Sequence, residues 1–148
     1  MTSLTPADQP AWTAIRISGR WANVRRVIES RLRLRVAEGR LLWLLRDGEP
    51  RTLRQIAEEL DLEQSTVNRQ VHAALAEGVV VRFRREGSAT YLVDIADEGR
   101  ERFRADLAQQ LRIHELALAA IPPDDRDDFL EHLATYVDAL GEAVVHDG

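Results

Sequence analysis

Apolar residues recur along this chain at two different periods, and the changes between them mark out its elements. From about Ala11 to Leu34, the residues Ile17, Trp21, Val24, Ile28 and Leu32 stand three and four apart, the stripe of an amphipathic helix. A second helix is expected from about Ala37 to Arg46, through "RLLWLL" and ended by "DGEP". The stretch "TLRQIAEEL" opens with Thr52 as an N-cap and has Gln55 three residues on, a capping-box arrangement. Leu53, Ile56, Ala57 and Leu60 form its buried face. After "DLE" a further helix is expected from about Gln64 to Glu77, stopping at Gly78.

The period then drops to two. "VVVRFRREGSATYLVDI" is rich in β-branched and aromatic residues and has turn chemistry at Glu86-Gly87-Ser88, which predicts a hairpin of about Val80–Arg85 and Thr90–Ile95. Val81 and Phe83 alternate with Arg82 and Arg84, so one face is expected to pack while the other carries positive charge. Helical periodicity returns from about Asp97. Phe103, Leu107, Leu111, His114, Leu118 and Ile121 form a seam that calls for a partner helix. "IPPDDRDDFL" interrupts it, and a last helix carries Phe129, Leu133, Tyr136, Leu140 and Val144. The fold class expected is mainly α with a small β-hairpin.

Two helices joined by a three-residue turn and followed at once by a hairpin is the order of a winged helix-turn-helix, whose second helix enters the DNA major groove. In "LDLEQSTVNRQV", Val67 and Val71 face the domain, as do Ala74 and Leu75 beyond. Gln64, Ser65, Asn68, Arg69 and His72 lie opposite, where base edges and phosphates would supply partners. Thr66, Thr52 and Arg54 are candidates for DNA-backbone contacts, and Arg82, Arg84 and Arg85 for the hairpin. The competing reading is a merely solvated helix face. Against it stand the three hairpin arginines and the scarcity of Glu and Lys on the exposed run.

The formal net charge of −5 changes the picture only until its distribution is considered. Residues 1–100 hold 16 Arg against 14 acidic residues, and residues 101–148 hold 4 Arg against 11, so the acid lies in the last third. All 20 basic residues are arginine, the better residue for bidentate phosphate and base contacts, although genome base composition produces the same bias. With 148 residues, one domain with a real core is expected. There are no cysteines, which excludes disulfides and thiolate metal sites. No apolar run approaches the roughly 18 residues of a membrane span, and "MTSLTPADQP" has no signal pattern. A cytoplasmic location and no membrane partner are the expectation.

Trp12, Trp21 and Trp43, with Arg16 and Arg20, suggest a pocket where an arginine pairs with, and a tryptophan stacks on, an aromatic carboxylate. The alternative places Trp21 and Trp43 in the core or in a dimer contact. His114, His132 and His146 include no pair at the i, i+4 spacing of a helical metal site, and no metal or cofactor is expected. No P-loop, G-x-G-x-x-G or G-x-S-x-G is present. Ser65 and His72 share a helix face but are about 10 Å apart along its axis, too far for a nucleophile and its base. An enzyme is not expected. A protein-interaction module without DNA binding is the alternative function.

"TLRQIAEELDLEQSTVNRQVHAALAEGVVVRF" and "YLVDIADEGRERF" resemble the helix-turn-helix and the post-wing segment of the MarR-type winged-helix transcription regulators. The likeness covers most of the chain. It implies one MarR-like domain over 1–148, with dimerisation helices at 11–35 and 97–146 around a winged helix-turn-helix at 36–96. It also implies a homodimer that binds a palindromic site in double-stranded DNA and is released as a repressor by a small aromatic or phenolic effector. In the family the turn often has Gly where this chain has Asp61, and the wing usually carries an Asp-x-Arg pair. Here the wing is shorter and reads "RFRREGSAT", leaving Arg84 or Arg85 to take that arginine's place.

Overall fold

The computed structural model describes residues 8–148, and residues 1–7 of the lead-in lie outside them. Six helices and one hairpin follow in order: α1 (Pro10–Ser30), α2 (Val36–Leu44), α3 (Leu53–Leu60), α4 (Gln64–Ala76), β1 (Val80–Arg84), β2 (Tyr91–Ile95), α5 (Asp97–Leu118) and α6 (Arg126–His146). Short 3-10 turns follow α2 (Leu45–Asp47) and precede α6 (Pro123–Asp125). The chain forms two compact units that divide within α5, between Leu107 and Ala108. None of the described helices is long and apolar enough to cross a membrane.

In the first unit, Pro10 opens α1 with its φ already set for a helix. The helix ends at Ser30, four residues short of the expected Leu34. The cause lies far away in sequence. Asp106 on α5 is buried, and its carboxylate accepts from the backbone N–H of Arg33 at 2.8 Å and of Leu34 at 2.9 Å. Continued helix would direct those amides to carbonyls four residues back and leave Asp106 buried without them. The turn instead carries Leu34 into the core. At the start of α2, Glu38 is buried and accepts from the N–H of Arg35 at 3.1 Å, so the helix is capped from its third position.

The capping box at α3 forms as the sequence predicts. Thr52 Oγ1 accepts from the Gln55 N–H at 3.1 Å, and Gln55 Oε1 accepts from the Thr52 N–H at 2.9 Å. At its other end the Leu62 N–H reaches back to the Ala57 carbonyl at 3.0 Å, with Asp61 left-handed at φ +52°. The end of α4 repeats this closure, with Val79 N–H on the Ala74 carbonyl and Gly78 at φ +72°. Asp61 therefore occupies a position equivalent to that of Gly78.

β1 and β2 pair antiparallel, Val80 opposite Ile95 and Arg84 opposite Tyr91. Arg51 adds a bridge on the other side of β2, exchanging backbone hydrogen bonds with Val93 at 3.0 and 2.7 Å. The inward face of the hairpin corrects the expectation. Val80, Val93 and Ile95 are buried, and they share their side of the sheet with Arg82, Arg84 and Tyr91. Val81, on the opposite side, is exposed, and Phe83 is half-buried. Packing and positive charge thus lie on one face, separated along its length.

Leu42, Leu45, Ile56 and Val79 retain no exposed surface. Burial at about 1.5–3 kcal/mol for each such side chain is what holds α3, since an isolated helix shorter than about 12 residues is marginal. Where α5 begins, Gly99 lies against Val79, the residue before β1, and a Cβ there would stand 2.0 Å from the Val79 carbonyl oxygen. In the second unit, Asp127 and Asp128 occupy the first turn of α6, where a helix favours negative charge. Arg126 Nε donates to the Ile121 carbonyl at 2.9 Å. Along α6, Phe129, Tyr136, Leu140 and Val144 are exposed.

Candidate nucleic-acid interface

α4 is held by Val67, Val71 and Ala74, which are buried on one side. At 100° per residue the opposite side belongs to Ser65, Asn68, Arg69 and His72, whereas Gln64 stands above Val71 on the inward side and is free only because it is the first residue of the helix; all five are exposed. Thr66 is half-buried. The first amides of α4 receive no side-chain cap. Among the described residues no acidic side chain pairs with Arg69.

The other predicted contacts divide into free and engaged groups. Arg54 is paired to Glu58 at 3.2 Å, but both are so exposed that the pair is weak and easily exchanged. The Thr52 hydroxyl accepts from Gln55 and retains its own proton for donation. Glu58, Asp61 and Glu63 line a shallow hollow at the turn between α3 and α4. Among the predicted contacts the cationic side chains are those of Arg54, Arg69 and the hairpin. Gly87 at φ +76° turns the hairpin, the Ser88 N–H bonds to the Arg85 carbonyl, and Arg85 is exposed beside them. The guanidiniums of Arg82 and Arg84 both lie over the Tyr91 ring, 4.4 and 4.8 Å from its centre. Sequence reading passed over Tyr91, although the hairpin register predicted there would have set it opposite Arg84.

A clamp beneath these groups joins α3 to the hairpin. Arg51 pairs with Asp47 at 2.7 Å and with Glu59 of α3 at 3.2 Å, while its backbone bridges Val93. The Arg51 hydrogen bond, helped by the Glu49 amide, holds the Asp47 carboxyl well below the usual carboxylate range. The same bond raises Arg51 above its ordinary value.

Of the residues suggested for an aromatic ligand, Trp12 is half-buried and Arg16, Arg20 and Trp21 are exposed along α1. Trp43 on α2 is exposed. Its ring lies 6.3 Å from that of Phe103, and Arg46 stacks over it at 4.3 Å. Among the described residues, no aromatic or cation–π contact joins Trp43 to the α1 group.

No protein-family model matches the chain, and no curated protein matches it in sequence. Solved structures do. FabT of Streptococcus pneumoniae, solved in complex with DNA, superposes with a TM-score of 0.78 at 15% identity, over 91% of this chain and 99% of that one. A MarR family protein from Bacillus stearothermophilus gives 0.73 at 16%, over 87% and 91%. The fold is the MarR-type winged helix. The PcaV transcriptional regulator from Streptomyces coelicolor, solved with its natural ligand, gives 0.65 at 20%, over 95% and 99%.

Proposed function

We propose that this protein is a sequence-specific DNA-binding transcription regulator acting as a homodimer. Gln64, Ser65, Asn68 and Arg69 would enter the major groove with His72 further along, Thr52, Arg54 and Thr66 would contact the backbone, and Arg82, Arg84 and Arg85 would act from the wing. The observation that carries this reading is the open face of α4, five exposed polar side chains beside a wing with three arginines. The fold shared with FabT, which was solved on DNA, supports it. Ile17, Trp21 and Val24 on α1 and Phe129, Tyr136 and Leu140 on α6 are exposed in the single chain, and a second copy would cover them. Two winged parts would then read a palindromic operator. A small aromatic or phenolic effector, taken up near Trp12, Arg16, Arg20, Trp21 and Trp43, would release it by favouring another spacing of the two.

The test is binding to labelled duplexes from around the protein's own gene and to scrambled controls, titrated across salt. Selective binding that falls steeply with salt is expected. Arg69→Ala should cost about 1–3 kcal/mol on the preferred duplex and less on scrambled DNA if Arg69 reads a guanine. Absence of binding at low salt would favour a protein partner, to which the net charge of −5 is better suited. Light scattering at micromolar concentration checks the dimer.

A further inference from the structure

The wing holds two guanidiniums on one aromatic ring, that of Tyr91, which was not among the residues proposed to contact DNA. Arg82 and Arg84 project from the same side of β1, two residues apart, and Tyr91 of β2 stands directly opposite Arg84. Both guanidinium carbons lie within 5 Å of the ring centre, at 4.4 and 4.8 Å, well inside the range of cation–π attraction. Among the described residues no carboxylate pairs with either arginine, so the ring orients their charge without neutralising it. An acidic partner would have fixed them equally well and cancelled the attraction for an anion. Further down the same side Val80, Val93 and Ile95 are buried, which anchors the strands that carry the three side chains.

We infer that Tyr91 is a positioning residue that pre-orders Arg82 and Arg84 for the phosphates of duplex DNA. The inference rests on the DNA-binding function proposed above. Arginine side chains are long and rotamer-rich, and a phosphate contact ordinarily has to immobilise them. Stacking restricts them before DNA arrives. The π face is what matters in this role, and the phenol hydroxyl is dispensable.

The experiment uses the full-length protein and the duplex it binds best from around its own gene, with affinity measured across salt. Tyr91→Leu should weaken binding about tenfold at moderate salt and make the dependence of log K on log salt shallower by about one to two, the share of two phosphate contacts. Tyr91→Phe should match the wild type in both. In an Arg82→Gln/Arg84→Gln background, Tyr91→Leu should change neither quantity. If Tyr91→Leu fails to fold, Tyr91→Thr keeps β-propensity without a π face and serves in its place. Wild-type slope and affinity in the Leu or Thr variant would overturn the inference alone. Equal weakening by the substitution in the double-Gln background would do the same, because it would mark Tyr91 as structural. Wild-type protein that binds no duplex would overturn both the inference and the function beneath it.

Discussion

Replacing Asp106 by alanine would remove the acceptor that ends α1 and brings Leu34 into the core. The carboxylate is 4% exposed and receives two backbone amides, Arg33 at 2.8 Å and Leu34 at 2.9 Å. A hydrogen bond to a charged group contributes about 1.5–3 kcal/mol net, and a buried donor left unsatisfied costs a similar amount. Arg33 is exposed enough for water to reach its amide, so its share belongs at the low end, while the buried Leu34 belongs at the high end. The two together give a loss of about 3–5 kcal/mol, a large part of the roughly 5–15 kcal/mol that holds a domain of ordinary stability. Asp106→Asn keeps an acceptor for one amide and turns an N–H toward the other, so about half that loss is expected. Urea unfolding of the three proteins at one fixed protein concentration reads the effect, because self-association shifts apparent stability. An Asp106→Ala protein within about 0.5 kcal/mol of the wild type would refute the reasoning. Far-ultraviolet circular dichroism would then show whether α1 had lengthened towards Leu34.

At the start of α5, Gly99→Ala would force a methyl group to within 2.0 Å of a backbone oxygen, and a loss of about 2–3 kcal/mol in thermal unfolding is expected. An unchanged melting temperature would contradict that contact. Asp61→Gly should be neutral or stabilising by about 0.5 kcal/mol, because glycine accepts the left-handed turn freely, whereas Asp61→Val should cost about 2 kcal/mol. Equal stability of the two variants would argue against the left-handed turn. Asp47 has its folded pKa depressed below its ordinary value of 3.8, chiefly by Arg51. Its contribution is therefore present in full above that value and is lost as pH falls through the folded one. The stability advantage of wild type over Asp47→Asn should hold at pH 6 and shrink progressively below about pH 4, and a constant difference down to pH 2 would refute the linkage.

The helix-turn-helix was legible because its punctuation is local. Thr52 and Gln55 cap within one turn, Gly78 closes α4, and Gly87 turns the hairpin, so neighbours in sequence carry the whole signal. The end of α1 was not legible, because the residue that sets it, Asp106, lies 72 and 73 positions from the amides it holds. The hairpin face was misread for a different reason. With Val at 79, 80 and 81 in a row, period-two alternation has no phase of its own, and packing against α3 and α4 selects Val80 inward. In the candidate interface, Ser65, Asn68, Arg69 and His72 followed from helical geometry alone, whereas Gln64 shares the azimuth of Val71 and owes its exposure to its place at the helix start. Arg54 had its ion-pair partner four residues on, a spacing that sequence does reveal. Tyr91 was within reach, because the expected strands Val80–Arg85 and Thr90–Ile95 already set it opposite Arg84; the second contact, from Arg82 on the diagonal, depends on side-chain rotamers that no sequence pattern carries.

The close approach of Gly99 to Val79 also bears on how the hairpin is held. A glycine with no room for a methyl group leaves no room for sliding, and the Ala96 N–H binds the same Val79 carbonyl at 3.0 Å. The first turn of α5 and the root of the hairpin thus meet backbone to backbone, with no side chain between them. The hairpin that carries Arg84 and Arg85 is thereby rooted on the start of α5 as well as on the core.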